Sequence, residues 1–324
     1  MSVLDDIRDV LDRSRTLLLV SHVNPDGDTI GAALGLAWAL RSRGKVARVS
    51  CADPLTPGLL LMPGAEEFAP RTLTDEDCVV AIDTADIQRL GSVYDAERFA
   101  RVPLVVIDHH ITNSRFGAVN FVEDRSSTAE LVLDLIHHMG IPLDRTMATC
   151  LMTGLVTDTQ SFRTTSTTAQ SFEAAVALIE VGVDLPRIMD AAFKQRTVGS
   201  LSVWGEALCR AQFERGVLWT VVSREMLSGN GHRDDTVSGL VNFMATVDEA
   251  RIAAVFHERP GGEVEVGLRS VPGVDVAVIA KRFGGGGHVQ ASGFTMAGTL
   301  DEVAATVVPA LREAAEGDGL GAER

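Results

Sequence analysis

TLLLVSHVNPDGDTIGAALGLAWALRSRG, residues 16–44, is the stretch on which the fold turns. An apolar run, 16–22, stops at the polar turn NPDGD. The segment 31–44 then reads as a helix closed by Gly44. Strand, turn and helix in that order open an α/β unit. Working outward, KVARVSC (45–51) supplies a second strand, and residues 1–13 a lead-in helix. CVVAID (78–83) and PLVVID (103–108) are short apolar runs that each end in a carboxylate. Strands that read as continuous Val/Ile/Leu are buried on both faces, which predicts a parallel sheet covered on both sides. Helical patterns follow over 128–138, 145–156, 169–181 and about 185–210.

A different rhythm begins near Gln212. GVLWTVVS is strand-like, 237–246 is helical, and RIAAVFHERPGGEVEVGLRS gives two strands around an RPGG turn. Helices are expected at 274–283, running into GGGGH, and at 299–313. The fold class is therefore α/β: an N-terminal parallel-sheet domain with flanking helices, then a smaller α/β domain with a mixed sheet, and a cleft between them for the active site. The domains expected are 1–190, a helical linker 191–211, 212–315, and a flexible tail 316–324.

Composition narrows the class of function. With 324 residues, 46% hydrophobic and 23% charged, the chain buries a sizeable core and is not mainly disordered. A net charge of −15 argues against gripping long nucleic acid, which draws its affinity from many Lys/Arg–phosphate contacts. A short nucleotide remains compatible, because bound divalent ions invert the local sign. Cys51, Cys78, Cys150 and Cys209 lie far apart with no CxxC, as in a reducing compartment. The first residues are acidic and amphipathic, and no run approaches the roughly 18 apolar residues of a membrane span. The expectation is a cytoplasmic enzyme with no membrane partner.

Candidate ligands recur at strand ends. His22, Asp26 and Asp28 follow the first strand, Asp83 follows CVVAI, and Asp108-His109-His110 follow PLVVI. In an open parallel sheet these carboxyl ends are where ligands bind. Asp158, in GLVTDTQSF, closes the group from a helix end. Asp26 and Asp28 also suit a helix N-cap. His22, Asp26, Asp28, Asp83, His109 and Asp158 together form a mixed carboxylate–imidazole set. Six such donors exceed one structural zinc and suit two divalent ions sharing a bridging carboxylate, assigned to Asp83, with Mn2+ favoured. Asp108 and His110 are read as functional without being assigned as direct ligands: Asp108 orients a histidine or the turn, and His110 faces substrate phosphate or a neighbouring ligand. Asp83, Asp108, His109 and His110 make up the catalytic group. His137, His138, His232 and His257 are read as structural.

In the second domain, KRFGGGGHVQASGF (281–294) holds Gly284, Gly285, Gly286, Gly287 and His288. It matches neither GxGxxG nor GxxxxGK[ST]. Glycines here would let the backbone present N–H groups to phosphate, with His288, Arg269 and Ser270 as further donors. Asp235 is a candidate for a sugar or base edge and equally for a helix cap. Phe283 and Phe294 are placed in the core.

These motifs, in this order, resemble the DHH phosphoesterase family, whose name is the triplet 108–110; the resemblance runs from about residue 17 to 311. Within it the two-domain layout is similar to the branch of bifunctional oligoribonucleases and pAp phosphatases (nanoRNases). The resemblance implies a two-manganese hydrolase of short oligoribonucleotides, linear dinucleotides such as pApA, and 3′-phosphoadenosine 5′-phosphate, in the form of a homodimer. Other relatives open cyclic di-AMP, which is the alternative activity. It further implies His22, Asp26 and Asp83 on one metal, and Asp28, Asp83, His109 and Asp158 on the other. His110, Arg269, Ser270 and His288 would carry over to positioning the substrate phosphate. GGGGH departs from the inorganic pyrophosphatase branch.

Overall fold

The computed structural model describes residues 2–193, 197–228, 237 and 239–317. The chain divides into two compact units, Met1–Gln195 and Arg196–Arg324. The first unit contains α1 (Val3–Arg13), β1 (Thr16–Ser21), α2 (Gly27–Ser42), β2 (Val46–Ser50), β3 (Cys78–Ile82), α3 (Ala96–Phe99), β4 (Leu104–Asp108), β5 (Val119–Val122), α4 (Thr128–His138), α5 (Arg145–Asp158), α6 (Ala169–Glu180) and α7 (Leu185–Phe193).

Its five strands lie in the order β2-β1-β3-β4-β5, all parallel. Leu19 stands opposite Val49 on one side and Val80 on the other. Alternate residues serve two cores. Leu17, Leu19, Val80, Ile82, Val105 and Ile107 pack with buried residues of α2, α4 and α5, whereas Leu18, Val20, Val79 and Val106 meet Leu90, Val93 and Phe99 on the opposite face. Burial on both faces is why β3 and β4 read as unbroken apolar runs. β5 was not foreseen: it is a four-residue edge strand in which only Phe121 is fully buried, too short for a pattern.

Because β3 lies beside β1 on the side opposite β2, strand order reverses at β1. A crevice opens at the carboxyl ends of β1 and β3, the place where ligands bind in such sheets. Helix packing closes that crevice. A Cβ at Gly31 of α2 would stand 2.4 Å from the Cys150 carbonyl oxygen and 2.9 Å from Gly154 N of α5. At Gly27 it would meet the Thr157 side chain at 2.4 Å, and at Gly35 the Leu151 side chain at 2.5 Å. Glycines at four-residue spacing thus let α5 approach the α2 backbone itself.

The second unit holds α8 (Val198–Cys209), β6 (Gln212–Glu214), β7 (Val217–Val222), α9 (Arg224–Ser228), α10 (Leu240–Met244), β8 (Ile252–Arg259), β9 (Glu263–Ser270), α11 (Val276–Arg282), β10 (Gly286–His288), β11 (Ala291–Ala297) and α12 (Leu300–Gly317). Six strands run β10-β11-β9-β8-β7-β6, with β7 and β8 parallel and the other neighbours antiparallel. At the foreseen RPGG turn, Gly261 and Gly262 take φ of 95° and 79°, a region that glycine enters at little cost. One face of the sheet packs on α11 and α12 through Phe256, Val266, Val276 and Leu311; the other meets Trp204, Met226 and Leu240. Phe283 and Phe294 stack with centroids 5.0 Å apart, Phe294 within that core.

The helical stretch read over 185–210 is two helices, α7 ending the first unit and α8 opening the second. α12 continues to Gly317, so the first residues expected in a flexible tail are helical. His232, Asp235 and residues 318–324 lie outside the described residues.

Candidate metal centre

β1 delivers His22 at its end, and the turn after it delivers Asp26 and Asp28. Asp26 is the N-cap of α2: its Oδ1 accepts from the backbone N–H groups of Asp28 and Thr29, each at 3.1 Å. Its Oδ2 stands 3.7 Å from His22 Nε2. The cap and the cluster therefore use different oxygens of one carboxylate. Asp28 is 1% exposed, and its two oxygens accept from Thr128 N at 2.6 Å and Ala129 N at 2.9 Å. These are unpaired donors of the first turn of α4, where a carboxylate is favoured.

Asp83 follows β3 with φ at 55°, a left-handed conformation unusual outside glycine. Strain of this kind persists where surroundings over-determine it. Here Asp83 N donates to Ile107 O at 2.9 Å, and the Thr128 hydroxyl donates to Asp83 Oδ1 at 2.9 Å. The two imidazoles approach opposite oxygens of this carboxylate: His22 Nε2 lies 3.3 Å from Oδ2, and His109 Nε2 lies 3.5 Å from Oδ1. His109 Nε2 is also 3.4 Å from Asp158 Oδ2, at the end of α5.

The far sides of both rings are tied to carbonyls. His22 Nδ1 lies 2.7 Å from Val23 O, and His109 Nδ1 lies 3.0 Å from Arg125 O. A carbonyl only accepts, so each Nδ1 carries the proton and each Nε2 is left for the carboxylates. Imidazoles anchored in this way, with Nε2 turned onto carboxylate oxygens and ready to exchange its proton for a cation, form a donor set that fits divalent metals. Three trios come within 4.8 Å: His22–Asp26–Asp83, Asp28–His109–Asp158 and Asp83–His109–His110.

Electrostatics agree with that fit. Burial, reinforced by Asp83, Asp158 and Asp26, pushes the Asp28 carboxyl well above its ordinary range. Burial likewise lifts Asp158 to about 7, Asp83 and Asp26 adding to it against His109. Burial disfavours a charged His22, but its hydrogen bonds to Asp26 and Asp83 prevail and raise it to about 10. The cluster thus gathers protons for want of positive charge.

Asp108 and His110 form a separate pair. Fully buried Asp108 accepts from His110 Nδ1 at 2.7 Å through Oδ1, and from Asn113 Nδ2 at 2.5 Å through Oδ2. Asn113 also donates to Thr84 O at 2.9 Å, bracing the turn. Asp108 orients His110 rather than His109, whose outer nitrogen is on Arg125 O. Sequence reasoning overlooked Thr128, Ala129, Asn113 and Gly154. The only readable signal among them is Ser127-Thr-Ala-Glu130, a helix-start pattern in which Ser127 caps α4.

In the second unit, Arg269 and His288 both stand opposite Ala291, one on each side of β11. Paired residues share a face, so guanidinium and imidazole occupy one row of one sheet face. Ser270 donates its hydroxyl to Val274 O at 2.6 Å, which commits that proton to a turn. The glycines divide. Gly285 and Gly287 are demanded by β11, since Cβ atoms there would stand 2.2 Å from Gly293 O and 2.5 Å from Ala291 O. Gly284 has a φ of 84°. Gly286 meets no such demand: a Cβ on it would touch nothing. The segment read as a loop is in part a hairpin strand, β10.

No helix among the described residues is long and apolar enough to cross a membrane. The N-terminal domain of the DHH family matches residues 16–155, and the DHHA1 domain matches 216–316. The chain is 34% identical over 302 residues to the bifunctional oligoribonuclease and PAP phosphatase NrnA of Thermus thermophilus, spanning 92% of this chain and 89% of that one. It is 27% identical over 304 residues to the cyclic-di-AMP phosphodiesterase GdpP of Geobacillus thermodenitrificans, spanning 87% of this chain but 45% of the other. The crystal structure of an exopolyphosphatase-related protein from Bacteroides fragilis superposes with a TM-score of 0.89 at 25% identity, over 96% and 95% of the two chains.

Proposed function

The chain belongs to the DHH phosphoesterase family and is a metal-dependent phosphoesterase, and from that premise we propose that it hydrolyses short oligoribonucleotides and linear dinucleotides such as pApA to mononucleotides, and 3′-phosphoadenosine 5′-phosphate to AMP and phosphate. The observation that carries the two-metal part is the pair of imidazoles on opposite oxygens of Asp83. It supports Asp83 as the bridging carboxylate, with His22 and Asp26 on one side and Asp28, His109 and Asp158 on the other. Two divalent ions held there, Mn2+ in our reading, would lower the pKa of bound water and polarise a phosphoryl oxygen.

The protein's own groups do the rest. Asp108 and Asn113 hold His110 with its Nδ1 proton inward, so that Nε2 is the end presented to substrate. Thr128 and the first turn of α4 keep Asp83 and Asp28 in place against their mutual repulsion. In the second unit, Arg269 and His288 supply positive charge to a substrate phosphate, and the 284–288 backbone supplies N–H donors. We assign catalysis to residues 1–190 and substrate binding to 212–315, in a protein that works as a homodimer in the cytoplasm.

The preference for oligoribonucleotides over cyclic di-AMP rests on likeness within the shared region: 34% identity to the NrnA relative over 92% of this chain, against 27% to the cyclic-di-AMP phosphodiesterase over 87%. Steady-state kcat/KM with Mn2+ on pAp, pApA, longer RNA oligomers and cyclic di-AMP tests it, with Asp83→Asn as background. Preference for pAp or linear RNA is expected. Preference for cyclic di-AMP would replace the substrate and leave the metal chemistry.

A further inference from the structure

We propose that Thr159 is a positioning residue for Asp158: its buried hydroxyl latches a left-handed cap onto α5 and so fixes where that carboxylate stands. The inference rests on the reading that Asp158 holds a divalent ion.

Asp158 needs such a device because little else holds it. Of the four carboxylates in the cluster, Asp26, Asp28 and Asp83 each accept from backbone N–H or hydroxyl donors. Among the described residues Asp158 has only His109 Nε2, 3.4 Å from its Oδ2, and its side chain is 30% exposed. It is also the last residue of α5, where helices fray. Its carboxylate can be no better placed than the backbone that ends the helix.

That ending is a Schellman cap built without its usual residue. Gln160 N donates to Thr157 O at 3.1 Å and Ser161 N to Val156 O at 2.8 Å, the paired bonds of the motif. The residue after the cap then takes a left-handed backbone, which glycine normally supplies. Here Gln160, Ser161 and Phe162 have φ of 47°, 62° and 64°, the only run of three left-handed residues among those described. A conformation that side chains disfavour persists only where its surroundings hold it. Thr159 holds it. The residue is fully buried, and its Oγ1 donates to Leu155 O at 2.6 Å and accepts from Phe162 N at 3.0 Å. One hydroxyl thus ties the last turn of α5 to the far end of the left-handed run. Phe162 adds its ring, stacked on Phe172 of α6 with centroids 4.9 Å apart.

The test is calorimetric titration of the chelator-treated full chain with Mn2+. Thr159→Val, which keeps the volume without the hydroxyl, should weaken one of two Mn2+ sites about tenfold or more and leave the other unchanged. Thr159→Ser, which keeps the hydroxyl, should restore it. Gln160→Val strains the cap from an exposed position without entering the core; it should weaken the same site, and it decides the matter if Thr159→Val does not fold. Asp158→Asn identifies that site. Loss in Asp158→Asn but in neither valine variant would overturn the positioning role. Equal weakening of both sites, or a lower metal-free Tm with both Mn2+ affinities intact, would also overturn it and leave Thr159 a stabiliser of the fold. Unchanged Mn2+ binding in Asp158→Asn would overturn the ligand assignment and the positioning role together.

Discussion

Replacing Gly31 by alanine puts one methyl group where α5 already lies. The added Cβ would stand 2.4 Å from the Cys150 carbonyl oxygen and 2.9 Å from Gly154 N, both main-chain atoms that no rotamer change can remove. Ordinary contact needs about 3.5 Å, so α2 and α5 must part by roughly 1 Å. Overpacking costs about 1–3 kcal/mol, and alanine returns about 1 kcal/mol of helix propensity, so the net loss is up to about 2 kcal/mol. Gly35→Ala meets only the Leu151 side chain, whose tips can turn, and should cost less. Gly205→Ala, in α8 of the second unit with nothing within 4 Å, should stabilise by about 0.5–1 kcal/mol. The displaced helix also carries Asp158 to the metal centre, and a 1 Å misplacement is worth on the order of 100-fold in turnover. Urea midpoints of the three variants, with Mn2+ affinity and kcat for Gly31→Ala, measure both effects. If Gly31→Ala proved as stable as the parent and bound metal equally well, the close approach of α5 would not be what assembles the centre.

Three further outcomes are expected. In chelator-treated protein, Asp158, raised from 3.8 to about 7, keeps a proton that the unfolded chain has lost, so its effect on stability falls as pH rises through that window. His22, raised from 6.5 to about 10, contributes stability that is full below 6.5 and lost on the way to 10; the metal-free Tm should therefore decline between pH 3.8 and about 10, and a flat or rising profile across that window would contradict the cluster's electrostatics. Asn113→Ala removes a brace of Asp108, and should lower kcat about 10-fold or more with KM and metal content little changed; loss of bound metal instead would place Asn113 in the metal site. Arg269→Ala should raise KM with metal content intact, and an unchanged KM would remove Arg269 from phosphate recognition.

Much of the site was legible because parallel strands deliver their last residues to one edge. His22, Asp83 and Asp108 each follow an apolar run, and that alone groups them. Roles within the group were less legible. Whether Asp108 serves His109 or His110 depends on ring orientation, and the carbonyl of Arg125, sixteen residues along, decides it by taking His109 Nδ1. Thr128 carries no signature of its own; it matters because α4 begins where Asp28 and Asp83 end. The glycine run misled in part, since Gly285 and Gly287 answer to the backbone of β11 before any phosphate.

By itself the sequence determined the longer helices and buried strands, the two α/β units and the residue types of the centre, because periodicity, caps and strand-end carboxylates are local properties of the chain; short strands such as β5 and β10 carry no such pattern. Tertiary structure decided the order β2-β1-β3-β4-β5, which places the crevice between β1 and β3. It also decided the contact of Gly31 with α5 that brings Asp158 to His109, and the turning of two imidazoles onto opposite oxygens of Asp83. The reason is physical: these depend on which surfaces bury each other across many residues of chain, and no spacing along the sequence records that choice.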